Sequence, residues 1–351
     1  MQLEDLDFDL PEELIAQHPA AQRDACRLMH LRRADSSRSE HRFHDLPTLL
    51  QRGDLLVRNT SRVLPARLHG EKEGGGARCE LLLTDPEEPG RWWALARPAR
   101  KLPPGSVVRL ADGTRIRVLA TGEAGARLLQ FPADLDPLQV AERLGSTPLP
   151  PYIRRAAEPG DAEAYQTVYA SEAGSVAAPT AGLHFTHALL GRLHERGIEC
   201  ADLLLHIGLA TFEPIRVSDP LQHRMHWERF EVRRAELRRI EATRAAGGRI
   251  VAVGTTVARV LESLAWRHER RGEVELEELE GRVRGRTRLF IRPPHEFRSV
   301  DALLTNFHLP RSTLLLLVDA LAGRPAIRAA YAEAVARRFR FFSYGDAMLI
   351  E

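Results

Sequence analysis

The chain is predicted to be an α/β protein: a large mixed α/β domain with a small all-β barrel inserted into it. Three observations predict this. Strand-like and helical patterns alternate from residue 175 to 351. Short, closely spaced strands fill residues 63–145. The α/β texture of residues 1–62 resumes after them. The expected division is therefore a discontinuous α/β catalytic domain, 1–62 and 146–351, with a barrel domain at 63–145.

In order, Leu10-Pro11-Glu12-Glu13-Leu14-Ile15 suggests a short helix started by proline. Residues 27–31 and 53–59 read as strands, the second closed by the turn residues Asn59-Thr60-Ser61. In the inserted segment, apolar runs at 63–68, 78–83, 92–97, 106–110, 115–120 and 126–131 are separated by Gly74-Gly75-Gly76, Pro103-Pro104-Gly105 and Asp112-Gly113, with no convincing helix. The prolines of Pro148-Leu149-Pro150-Pro151-Tyr152-Ile153 predict an extended return linker.

Beyond it, strands are expected at 175–178, 200–207, 250–253, 287–292, 302–305 and 347–350. Helices are expected at 185–196, 235–246, 256–267, 312–321 and 326–338, with Gly197 and Gly323 closing two of them. Alternation of this kind implies a mostly parallel sheet. The acidic run 273–280 reads as a solvated loop.

With 351 residues, 44% hydrophobic and 28% charged, the chain has enough apolar material for a sizeable core. A net charge of +2 argues against a polyelectrolyte binder. Cys26, Cys79 and Cys200 are widely spaced, so neither a disulfide scaffold nor a thiolate zinc site is expected; Cys26 reads as a small buried residue. With no signal-peptide pattern and no apolar run of spanning length, a cytoplasmic, membrane-free protein is expected.

Ligands of open α/β sheets bind beyond the carboxyl ends of the strands. Here those junctions carry Thr180, Gly182 and His184; His206, Gly208 and Thr211; Gly254-Thr255-Thr256; and Thr305-Asn306-Phe307-His308. Gly254-Thr255-Thr256 leads from strand into helix, which makes it either an anion site on free amides or a threonine N-cap. Arg311, at another helix start, meets either an anion or solvent. His184 and His206 are the acid–base candidates, each with a core histidine as the alternative. His223, His226 and Glu228 invite a metal reading, but no regular element presents all three on one face, so no metal is expected. Tyr344-Gly345-Asp346 precedes the last strand; Asp346 orients a histidine, binds ribose hydroxyls or closes an Asx-type turn.

Dispersed stretches together resemble the S-adenosylmethionine:tRNA ribosyltransferase-isomerase family. They include Leu14-Ile15-Ala16-Gln17 with Arg23-Asp24, Pro65-Ala66-Arg67-Leu68-His69-Gly70, Tyr165-Gln166-Thr167-Val168-Tyr169, residues 177–186, Val253-Gly254-Thr255-Thr256, residues 305–313 and residues 343–350.

The resemblance implies a reaction: the ribosyl part of S-adenosylmethionine is transferred to 7-aminomethyl-7-deazaguanine at the tRNA wobble position and isomerised. Epoxyqueuosine-tRNA, adenine and methionine result. It also implies an α/β domain with an inserted barrel, S-adenosylmethionine consumed as a substrate, no cofactor or metal, and the tRNA anticodon arm as partner; a monomer is expected.

On this reading His184 or His206 is the base and the other protonates adenine. Thr180, Asn306 and His308 hold sugar or base edges. Arg62, Arg67 or Arg154 meets tRNA phosphates or the methionine carboxylate, beside the Gly254–Thr256 amides. Gly182, Gly208, His226, Glu228, Tyr344 and Asp346 complete the substrate wall. Phe185 or Phe307 stacks on adenine or fills the core. The chain departs from the family pattern at Cys26 (usually serine), Thr60, Ala210, Glu213, Val257 and Pro294. A metal-dependent hydrolase using His184, His206, His223 and His226, or a non-catalytic RNA binder, would account for less of the sequence.

Overall fold

The computed structural model describes residues 3–208, 217, 219–223 and 225–351. A ten-stranded sheet forms its centre, in the order Val274–Leu279, Arg282–Thr287, Glu228–Arg233, Glu199–Leu205, Leu55–Asn59, Ile250–Val253, Ala302–Asn306, Ala347–Ile350, Arg27–Leu31, Arg38–Arg42. Strands Ile250–Val253, Ala302–Asn306 and Ala347–Ile350 are buried at every residue. Such strands need apolar layers on both faces, and both exist. Leu55, Val57, Ala252, Leu303 and Met348 pack into one core, and Leu56, Val251, Val253, Leu304 and Leu349 into the other.

The sheet is mixed, which corrects the expectation of a mostly parallel one. Glu199–Leu205, Leu55–Asn59, Ile250–Val253 and Ala302–Asn306 run parallel to their neighbours in that block. Ala347–Ile350 then lies antiparallel to Ala302–Asn306 and parallel to Arg27–Leu31. The connection explains this reversal. Two helices, Thr313–Ala322 and Arg324–Ala336, separate the two strands. One helix between strands makes two reversals and a parallel strand; two successive helices make three, so the next strand enters the sheet backwards.

The other edge is antiparallel, and two expectations change there. The acidic run 273–280 is an edge strand, not a loop. Its carboxylates pair with arginines on neighbouring elements: Glu275 with Arg286 at 2.5 Å, and Glu278 with Arg234. Charges suit an edge that must not recruit another strand. The strand expected at 287–292 instead ends at Thr287, as Arg282–Thr287.

Strands Arg67–Lys72, Arg78–Glu88, Arg91–Arg97, Val107–Leu110, Arg115–Thr121 and Ala126–Gln130 close into an antiparallel barrel. Alternate residues such as Leu68, Leu81, Leu83, Val108, Ile116, Val118 and Leu129 fill its interior. A helix missed in the sequence, Pro137–Leu144, follows. Asp136 caps it by accepting from Leu138 N, and proline occupies its first turn. The chain enters the barrel from Ser61–Val63 and returns through Glu172–Ser175, and these two segments pair in parallel. The strand expected at 175–178 therefore lies earlier. The helix expected at 185–196 is His187–Glu195, capped by the Thr186 hydroxyl on Leu189 N, and a separate tight turn, Thr180–His184, precedes it. Among the described residues, no helix is long and apolar enough to cross a membrane.

Candidate functional site

The carboxyl ends of the central strands open into a cavity of about 60 Å³. Thr180 and Ala181 supply one wall, Ile207 a second, Gly254, Thr255 and Thr256 a third, and Thr305, Asn306 and His308 a fourth. The four junctions expected from the sequence thus converge. Gly254 starts the helix Thr255–Ala265 at φ 95°, and no side chain caps it. The threonine-cap alternative is not what the chain adopts. The first amides of that helix lack intrahelical acceptors, which leaves them able to donate to an anion.

Tyr152, Phe342 and Ser343, from outside these junctions, line the cavity as well. None was singled out in the sequence. Tyr152 stacks on Phe342 at 4.2 Å between ring centroids, and its hydroxyl lies 2.5 Å from Ser343 Oγ. Phe342 has φ 71°, a left-handed conformation that a bulky side chain rarely adopts and that clusters at functional sites. Ser343 also borders a second cleft, about 240 Å³, lined by Arg23, Cys26, His184 and Tyr344.

His184 lines this second cleft and not the strand-end cavity. It is 5% exposed, with Nδ1 3.2 Å from Cys26 Sγ and Nε2 3.0 Å from Asn306 Nδ2. Burial, reinforced by the positive Arg340 and Arg23, pushes its pKa down to about 3, so the ring is neutral at neutral pH. His308 is equally buried and likewise pushed down to about 3 by burial; its Nε2 lies 2.9 Å from Thr305 Oγ1.

His206 does not join them. Ile207 lines the cavity, but the ring of His206 packs on Gly174, where any Cβ would collide with it. Its backbone N–H donates to Arg229 O, and its buried Nδ1 has no hydrogen-bond partner. Burial and then Arg229 lower its pKa.

Several other expected residues have structural surroundings. Asp346 accepts from the N–H groups of Arg27 and Arg340, a tie between separate segments and not the Asx-type turn considered from the sequence. Tyr344 donates to Asp161 at 2.8 Å. Phe185 lies in the core, edge-on to Phe43. Gly182 lets the chain pass the Tyr169 hydroxyl, with no room for a Cβ. Glu228 is buried against Arg259, whereas His226 is exposed, so the two do not share a surface. Among the described residues, no cluster of three His, Cys, Asp or Glu is placed to hold a metal.

Arg67 donates to Leu149 O, and Arg62 and Arg154 pair with Glu142 and Glu12 at the surface. Arg311 pairs with Asp7, and Ser312 caps the helix that follows. Gly208 is half-buried, and Thr211, Ala210 and Glu213 lie outside the described residues.

Comparison with known proteins bears on the whole chain. The family model described as queuosine biosynthesis protein matches residues 3–350. A relative in Anaeromyxobacter dehalogenans, named S-adenosylmethionine:tRNA ribosyltransferase-isomerase, is 52% identical over 100% of this chain and 99% of its own length. One of the same name in Pelotomaculum thermopropionicum is 49% identical over the full length of both. The crystal structure of S-adenosylmethionine tRNA ribosyltransferase from Thermotoga maritima is 39% identical and aligns with 99% of this chain and 100% of that one, at a TM-score of 0.56.

Proposed function

The chain belongs to the queuosine biosynthesis protein family, and we infer that it performs the reaction for which its relatives are named. The ribosyl part of S-adenosylmethionine is transferred to 7-aminomethyl-7-deazaguanine at the wobble position of a cytoplasmic tRNA and isomerised. Epoxyqueuosine-tRNA, adenine and methionine are the products. The observation that carries the siting is the convergence of four strand-end junctions on one cavity.

In this reading the nucleoside sits against Thr180, Thr305 and Asn306. The methionine carboxylate lies on the amides that begin the helix Thr255–Ala265. The sulfonium acidifies the neighbouring 5′ carbon, and a neutral imidazole accepts the proton. We assign that role to His308, whose residue lines the cavity. His184 has both ring nitrogens engaged, and His206 faces Gly174. Adenine then leaves, the aminomethyl nitrogen bonds to the sugar, and the fragment closes to the epoxide as methionine departs. Arg62 and Arg154 hold only surface ion pairs, which phosphates displace at little cost.

The test uses purified protein, S-adenosylmethionine and precursor-bearing tRNA. Adenine and modified tRNA are expected, and the absence of both overturns the assignment. His308→Gln is expected to lower kcat by about 100-fold or more while the protein stays folded. A near-normal kcat removes His308 from proton transfer.

A further inference from the structure

The contacts of His184 have a direction. Asn306 Nδ2 lies 3.1 Å from Phe342 O and 3.0 Å from His184 Nε2. A carbonyl oxygen can only accept, so Phe342 fixes which end of the Asn306 amide is nitrogen. Rotating that amide would set Oδ1 against Phe342 O. Its two N–H bonds therefore go to Phe342 O and to His184 Nε2. A neutral imidazole that accepts at Nε2 must carry its proton on Nδ1. Nδ1–H then donates to Cys26 Sγ, 3.2 Å away. The last polar atom of the chain, Asn306 Oδ1, is buried without a partner on a residue that is 2% exposed and lines the strand-end cavity.

We propose that Cys26 is a positioning residue: by accepting from His184 Nδ1–H it polarises the Cys26–His184–Asn306 chain, so that Asn306 offers the cavity a fixed acceptor for an N–H or O–H group of the substrate. The proposal rests on reading that cavity as the reaction site. Burial keeps the Cys26 thiol protonated, so it acts as an acceptor and not as a nucleophile. The same geometry explains why His184 is unsuited to carry a proton. An imidazolium would turn Nε2–H toward the Asn306 N–H groups, and Arg23 and Arg340 raise the cost.

Two measurements decide it. The first needs no turnover. In protein labelled with ¹⁵N-histidine, with His184→Gln identifying the resonances, His184 is expected to be neutral and protonated on Nδ1. Protonation on Nε2 overturns the proposal whether or not the enzyme is active. The second is a series of Cys26→Ala, Cys26→Ser and Asn306→Ala, each checked for folding by thermal unfolding. Asn306→Ala is expected to weaken substrate by about tenfold, the size of one lost hydrogen bond. Cys26→Ala is expected to do so in part, and Cys26→Ser, which returns an acceptor, to recover what Cys26→Ala lost.

A rise confined to the KM for S-adenosylmethionine, matched by weaker binding of it without tRNA, assigns the donor to the nucleoside. A rise confined to the KM for tRNA assigns it to the aminomethyl base. Folded variants with unchanged KM for both overturn the proposal. If the parent protein binds neither substrate, the reading of the cavity fails along with the assigned donor, and the resonance measurement still decides the tautomer.

Discussion

Tyr152 and Ser343, 191 residues apart, meet hydroxyl to hydroxyl at 2.5 Å. The contact ties the proline-rich return from the barrel to the turn before the strand Ala347–Ile350. It closes the strand-end cavity on the side that no strand junction supplies.

Tyr152→Phe keeps the ring on Phe342 and loses only the hydroxyl contact. The expected stability cost is about 1 kcal/mol, with a several-fold rise in KM for S-adenosylmethionine. Tyr152→Ala also removes the stacked wall and is expected to cost ~3 kcal/mol or more. Urea unfolding and steady-state kinetics on the two variants separate these effects.

Glu228 and Arg259 form a buried ion pair at 7% side-chain exposure each. Burial alone holds the Arg259 pKa down to about 10, so the guanidinium stays charged at neutral pH and depends on its carboxylate. Glu228→Gln is expected to destabilise by about 3–5 kcal/mol, because it leaves that charge uncompensated. Glu228→Leu combined with Arg259→Met is expected to recover most of the loss in urea unfolding.

Gly174→Ala places a methyl group where the His206 ring sits, at φ 150°. A stability loss of ~1–3 kcal/mol is expected. Because His206 is set apart from the cavity residues, kcat is expected to stay within a few-fold of the parent, as for His206→Gln. A large fall in kcat for His206→Gln with unchanged stability would return His206 to the chemistry.

His184 and His308 have folded-state pKa values of about 3, against 6.5 for the free side chain. Between those values the unfolded chain binds more protons than the folded one. Stability is therefore fully present above about pH 6.5 and lost as pH falls toward about 3. Unfolding free energies at pH 7.5 and 4.5 are expected to show this decline. The His184→Gln and His308→Gln variants are each expected to have a shallower slope.

Much of the frame was legible in the sequence. The barrel strands announce themselves because their interior is dry and their exterior wet, so Ile116 and Val118 alternate with Arg115 and Arg117. The four strand-end junctions were legible because strand-then-polar is a local pattern. What escaped is set by contacts at long range. The run 273–280 looked solvated because an edge strand carries charges as a loop does. Tyr152, Phe342 and Ser343 lie in segments without periodicity and gain meaning only from one another. His206 was grouped with His184 by its place after a strand. Alternation along that strand turns Ile207 to the cavity and His206 to Gly174. The helix Pro137–Leu144 did carry its signals, Asp136 and Pro137, and was passed over because strands surround it.

The strand Ala347–Ile350 sits inside the ten-stranded sheet, between Ala302–Asn306 and Arg27–Leu31, and Asn306 pairs with Ala347. Glu351 adds a hydrogen bond with His30 and an ion pair with Arg249. Without residues 347–350 the sheet has a four-residue slot between Ala302–Asn306 and Arg27–Leu31, so the cavity wall that carries Asn306 depends on that strand. Its loss would leave two unpaired inner edges, the kind of species that chaperones and proteases remove.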